Sequence, residues 1–296
     1  MDISKFTEEE FQEVLEEIYL TYIKNINFTK NKKAFLLGGQ PGAGKSGLTT
    51  FLKQENENMI VINGDDFRKE HPHYEELEQK YGKESVEYTK GFAGRMTEAL
   101  ISKLSNKGYN LIIEGTLRTI ETPSKTQQEL SKKGYQVEMA VILVRPEFSY
   151  LGTLMRYEEM IKKGLQPRAT LKKDHQIVVD NIANNLSNLY EKKIFSNIRL
   201  FNRKGECLYS MNKTPEINPG KLIQEEFNRS LKEEEIKSLI EGYEFILNYM
   251  SLRNSSNEEI KNVLDLKITI ENMLEKDSNN PWIEKLQSSK GNEWEL

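Results

Sequence analysis

One cysteine, Cys207, is the only thiol in this chain, so an intramolecular disulfide is excluded and a reducing, cytoplasmic setting is the expectation. Three scattered histidines, His71, His73 and His175, do not combine with that cysteine into the spacing of a zinc site. His71-Pro72-His73 reads instead as a rigid loop. No apolar run approaches the roughly 20 residues that cross a bilayer, so no membrane-spanning segment is expected. The opening stretch MDISKFTEEEFQEVLEEIYL is acidic and amphipathic, unlike a signal peptide. A dominant charge is also missing: a formal net charge of −4 gives no general pull towards nucleic acid or an anionic membrane surface. Internal repeats are absent.

What the chain does have is alternation. Residues 7–25 carry Phe11, Leu15, Ile18, Leu20 and Ile23 near helical spacing, with Thr7 as N-cap. Short apolar runs follow at Lys33–Leu37, Met59–Ile62, Tyr109–Ile113 and Val137–Val144, and the first three end in glycines or polar clusters. Helical stretches near 45–54, 84–107, 123–134 and 148–163 separate them. Strands alternating with helices predict an α/β fold, a parallel sheet covered on both faces. A long helix is expected from about 172 to 193, then a hairpin at Ile198–Phe201 and Cys207–Tyr209. From about 216 onward the chain reads as charged helices, broken near 253–256 and 277–281.

Gly39-Gln40-Pro41-Gly42-Ala43-Gly44-Lys45-Ser46 matches G-x-x-x-x-G-K-[ST] in full, between an apolar strand and a helix. Glycines let backbone N–H groups approach phosphate oxygens, Lys45 can reach the β- and γ-phosphates of ATP, and Ser46 can ligate Mg²⁺. The helix that follows directs its positive end at the anion. The Asn-Lys-x-Asp pattern by which GTPases read their base is missing. Instead, Asp65 and Glu114 follow two of the strands, where open α/β sheets bind ligands. A carboxylate there can take the proton of an attacking hydroxyl or hold metal-bound water. Base is the favoured role for Asp65, with a cap of the helix ahead of Phe67 as the alternative; Asp66 is the better cap, and Glu114 could be structural. Arg156 and Arg168 flank the glycine-containing segment Lys163-Gly164-Leu165-Gln166-Pro167. Such arginines either stabilise a transferring phosphate from a closing lid or are solvated surface groups. The expected organisation is a P-loop kinase-like domain over 1–230 and a charged helical extension over 231–296.

Several stretches together resemble the zeta toxin family of epsilon–zeta toxin–antitoxin systems. They are Phe35–Gly42, His71-Pro72-His73-Tyr74, Asn110–Thr116, Ser149–Thr153 and Arg168-Ala169-Thr170. The resemblance runs over roughly residues 1–212. It implies an ATP- and Mg²⁺-dependent kinase acting on the 3′-hydroxyl of UDP-N-acetylglucosamine, to the detriment of peptidoglycan synthesis. By position, Lys45 is the P-loop lysine, Asp65 the base, and Arg156 and Arg168 the phosphate-holding arginines. Glu98, Glu114, Thr116 and Arg118 match the sugar-nucleotide pocket. Leu171 stands where the family usually has proline after Arg-Ala-Thr. An epsilon-type antitoxin is the implied partner, and the stretch ahead of Lys33 is too short to supply a helical inhibitor in the same chain. The residues themselves also fit a kinase for another hydroxyl substrate: a different UDP-sugar, a nucleoside or an antibiotic.

Overall fold

The computed structural model describes residues 2–165, 167 and 169–275. The chain clusters into two compact units, Met1–Ser149 with Ala169–Phe227, and Tyr150–Arg168 with Asn228–Leu296.

The first unit is built on one sheet. Its strands are β1 (Lys33–Gly38), β2 (Met59–Ile62), β3 (Asn110–Ile113), β4 (Gln136–Ile142), β5 (Asn197–Phe201) and β6 (Cys207–Ser210), in the order β2-β3-β1-β4-β5-β6. All neighbours run parallel except β6, which pairs antiparallel with β5 as the expected hairpin. Successive side chains of a strand point to opposite faces, and the two cores follow that alternation. Ala34 and Leu36 of β1 enter one core with Leu111, Ile113, Val137, Met139 and Val141, whereas Phe35 and Leu37 enter the other with Ile112, Ala140 and Ile142. The first core is covered by α1 (Glu8–Ile23), α4 (Ser85–Lys107), α5 (Glu121–Lys132) and α7 (Lys172–Glu191), which contribute Phe11, Met96, Leu130 and Ile182 respectively. The second core receives Leu48 and Leu52 of α2 (Lys45–Glu55). The expected parallel sheet with helices on both faces is therefore present.

Local chemistry explains the ends. Thr7 caps α1: its Oγ1 accepts from Glu10 N at 3.2 Å, and Glu10 Oε2 accepts from Thr7 N at 2.7 Å. Helix α4 stops at Gly108, whose φ of +85° favours glycine. Two elements had no clear sequence signal: a 3-10 helix at Gly64–Glu70 and α3 (Tyr74–Tyr81). The cap of that 3-10 helix is Asn63, whose side chain accepts from Asp65 N, so neither Asp65 nor Asp66 is the cap. A short amide placed before a glycine does the job one turn earlier than the aspartates.

α6 (Pro146–Lys162) begins in the first unit, and α8 (Pro219–Asn228) falls almost wholly within it. In the second unit, residues 150–162 of α6 group with α9 (Glu233–Leu252) and α10 (Asn257–Glu275). A Cβ at Gly242 would lie 2.5 Å from Leu151 Cδ2, so α9 approaches α6 where a side chain is missing. Arg253, just past α9, forks onto the buried Glu158 of α6 with bonds of 2.8 and 2.9 Å. The tail helices and residues 150–162 thus share one core. No helix among the described residues is long and apolar enough to cross a membrane.

Candidate active site

The carboxyl ends of β1, β2 and β3 lie side by side because β1 and β2 both pair with β3. After β1 the backbone enters the glycine turn, with Gly39, Gly42 and Gly44 at φ of +149°, +73° and +104°. All three lie in the positive-φ range that L side chains rarely adopt. Ala43 N donates to Gln40 O at 3.1 Å, tightening the loop, and α2 starts at Lys45. Lys45 Nζ folds back over the loop and donates to Gly39 O at 2.9 Å and Gln40 O at 3.1 Å. Gln40 is fully buried, and its Nε2 donates to Val144 O at 3.1 Å, tying the loop to the segment after β4. Ser46 is exposed on the first turn of α2.

After β3, Glu114 is half-buried, its N–H continues the ladder to Ile62 O at 2.9 Å, and its Oε1 accepts from Thr49 Oγ1 at 3.1 Å. Burial holds the Glu114 carboxyl above its ordinary pKa. The Thr49 hydrogen bond and the Lys45 charge pull it down, and Asp66 and Asp65 push it up. Lys45 and Asp65 therefore both act on the Glu114 carboxyl electrostatically. The next residues are held tightly. A Cβ at Gly115 would meet Leu37 O at 3.1 Å, buried Leu117 adopts φ +59°, and Leu117 O accepts from Asn185 Nδ2 at 3.0 Å. Thr116 is half-buried and Arg118 exposed on this turn.

Asp65 follows β2 with its side chain 60% exposed, open to solvent as a group that meets a substrate must be. Arg68 Nε donates to its Oδ1 at 2.9 Å, and Arg68 Nη1 donates to Val86 O at 2.7 Å, linking the carboxylate to α4. Glu98 of α4 is exposed and pairs with Lys125 at 3.4 Å. Arg156 lies on α6 in the other unit, and Arg168 lies outside the described residues. Leu171 caps α7 with φ −68° and ψ 138°, the φ that a proline ring would impose, so its backbone keeps a proline-compatible shape.

His71 and His175 are structural in character. His71 is buried against Phe6 and Phe92, and burial lowers its pKa. His175, pushed down to about 4 by burial, bonds Ser149 Oγ through Nε2 at 2.8 Å. Among the described residues, no group of three or more His, Cys, Asp or Glu side chains could hold a metal ion. Thr49 and Arg68 escaped sequence reasoning, although Thr49 sits one turn past Lys45 on the helix that the P-loop predicts. Arg203 escaped it as well: from the β5–β6 turn it donates to Gly42 O and Ala43 O, more than 150 residues away in sequence.

The family model described as zeta toxin matches residues 17–214. Toxin PezT of Streptococcus pneumoniae is 46% identical over 211 residues, which cover 71% of this chain and 83% of that protein. Toxin zeta of Streptococcus agalactiae is 42% identical over 245 residues, 82% of this chain and 85% of that one. Among solved structures, one from the PezAT chromosomal toxin–antitoxin system of Streptococcus pneumoniae has a TM-score of 0.76 at 39% identity, covering 85% of this chain and 100% of that chain. The complex AvrRxo1-ORF1:-ORF2 with ATP, at 12% identity and a TM-score of 0.52, covers 90% of this chain and 84% of that one and shares the fold alone. The P-loop, the sheet order and these matches agree: the chain belongs to the zeta toxin family.

Proposed function

We propose that the protein transfers the γ-phosphoryl group of ATP to the 3′-hydroxyl of UDP-N-acetylglucosamine, as the toxin of a toxin–antitoxin pair that blocks peptidoglycan synthesis. The observation that carries this reading is that Lys45, Asp65 and Glu114 follow the ends of three adjacent strands, with the charges of Lys45 and Asp65 both reaching the Glu114 carboxyl. A pure nucleotide binder needs the lysine, but not an exposed carboxylate at a neighbouring strand end.

The loop fits a polyphosphate: three glycines at positive φ, a lysine over the loop and a helix N-terminus behind it. Mg²⁺, held by Ser46 and phosphate oxygens, would supply charge neutralisation. Such a site suits an ion that usually takes few protein ligands. Asp65 accepts the proton of the sugar hydroxyl, whose oxygen forms the new bond to phosphorus as the bond to the ADP oxygen breaks. Lys45 balances charge on the β- and γ-phosphates. Arg156 and Arg168 steady the transferring group, and Glu98, Glu114, Thr116 and Arg118 bind the sugar nucleotide; these assignments rest on the motifs in which they stand. A separate antitoxin restrains the activity, in keeping with the toxin–antitoxin system of the similar PezAT structure.

The test is to incubate purified protein with Mg²⁺-ATP and a panel of UDP-sugars, nucleosides and antibiotics, and to weigh the products. UDP-N-acetylglucosamine heavier by one phosphate supports the proposal. A phosphorylated nucleoside or antibiotic in its place would assign the same machinery to another hydroxyl. Lys45→Ala should abolish transfer, and full activity in that variant would remove the P-loop from the mechanism.

A further inference from the structure

We propose that Arg203 is a positioning residue of the nucleotide site, setting the peptide orientation of the P-loop from the β5–β6 turn. The inference rests on the reading of the loop as an ATP site. Arg203 Nη2 donates to Gly42 O at 2.8 Å, and Nε donates to Ala43 O at 3.2 Å. A further Nη2 bond at 2.8 Å reaches Phe148 O in the first turn of α6. Because a trans peptide sets its C=O and N–H in opposite directions, holding the Ala43 carbonyl aims the Gly44 N–H away from Arg203. The Gly42 carbonyl is fixed in the same way, and the N–H across that peptide closes the turn onto Gln40 O. The guanidinium thus orders two consecutive peptides of a loop whose glycines would otherwise sample many conformations.

The surroundings distinguish Arg203 from an ordinary structural arginine. Among the described residues no carboxylate pairs with it: its hydrogen bonds run to carbonyls alone. Its charge therefore remains beside the loop as a field that favours an anion. The side-chain stem lies over the loop as well, since a Cβ on Gly44 would sit 3.6 Å from Arg203 Cγ. The turn that delivers Arg203 is itself fixed. Asn202 Oδ1 accepts from Lys204 N at 2.9 Å and from Glu206 N at 3.0 Å, and Gly205 turns the chain at φ +83°.

The experiment measures ATP affinity by calorimetry and acceptor KM by a coupled assay, for the parent, Arg203→Lys and Arg203→Ala, with and without added methylguanidinium. Arg203→Ala should weaken ATP binding about 10- to 100-fold and leave the acceptor KM within about twofold, as expected for lost charge-assisted bonds to the loop alone. Methylguanidinium should recover part of that loss, and Arg203→Lys should fall in between. ATP affinity within twofold of the parent would overturn the proposal. So would a loss that methylguanidinium cannot repair and that extends equally to the acceptor, the pattern of general loosening. If thermal melts show Arg203→Ala unfolded, Arg203→Lys decides by the same criteria. A parent protein that binds no ATP would instead refute the kinase reading on which this inference stands.

Discussion

Arg253 offers a perturbation whose size can be worked from the geometry. Its Nε and Nη2 meet Glu158 Oε2 and Oε1 at 2.8 and 2.9 Å, with the Glu158 side chain 5% exposed and the Arg253 side chain 24% exposed. The hydrogen bond to Glu158 is also the main cause holding the Arg253 guanidinium above its ordinary pKa. Arg253→Met removes both bonds and strands a carboxylate out of water. Breaking a buried pair on one side costs about 3–5 kcal/mol, and the partial exposure of Arg253 places this case near the lower figure, about 3 kcal/mol. That is a change of about 100-fold or more in the folded-to-unfolded ratio of this unit. Combining Arg253→Met with Glu158→Met should recover most of the loss, because no buried carboxylate is left stranded and Glu259, the other partner of Arg253, is partly exposed. Urea unfolding, with hydrogen exchange of the α9 amides to localise the effect, reads both numbers. A loss below about 1 kcal/mol in Arg253→Met, or a double variant no better than the single, would refute the account of a desolvated fork.

Asp65→Asn should keep ATP binding but lose turnover by about 10²–10⁴-fold, the range for a lost general base, measured by steady-state kinetics beside circular dichroism. Unchanged turnover would release Asp65 from that role. Glu114 carries a pKa raised by burial, so its stability contribution is full below its ordinary value of 4.5 and is lost as pH rises through the higher folded value. Glu114→Gln should therefore melt above the parent near neutral pH, with the gain closing below about pH 4, while transfer falls at every pH. An equal gain at both ends of that range would contradict the burial argument.

Much of the fold was legible because its signals are local. Apolar runs such as Tyr109–Ile113 become strands, since an inner parallel strand, here β3, is buried on both faces. The P-loop is contiguous, so its motif and its geometry are the same stretch of chain. Asp65 and Glu114 could be found from strand ends alone. The rest depends on contacts between distant segments. Arg203 reaches the loop only because the chain returns through β4 and β5 to the side of β1, which no spacing in the sequence records. The 3-10 helix at Gly64–Glu70 is too short for periodicity to declare, and its cap fell to Asn63 because an amide beside Gly64 met the open N–H of Asp65 first. The charged helices after 230 carried no sign of a partner. Gly242, which lets α9 approach Leu151, reads in sequence as a blemish in a helix.

The central claim is most directly tested by locating the phosphate. The protein is incubated with Mg²⁺-ATP and UDP-N-acetylglucosamine, and the purified product is examined by phosphorus–proton correlation NMR. The account predicts one new phosphate coupled to the proton on the sugar's third carbon, formed by the parent and absent with Asp65→Asn. A phosphate on another carbon, no product from the sugar nucleotide, or equal product from the variant would contradict it.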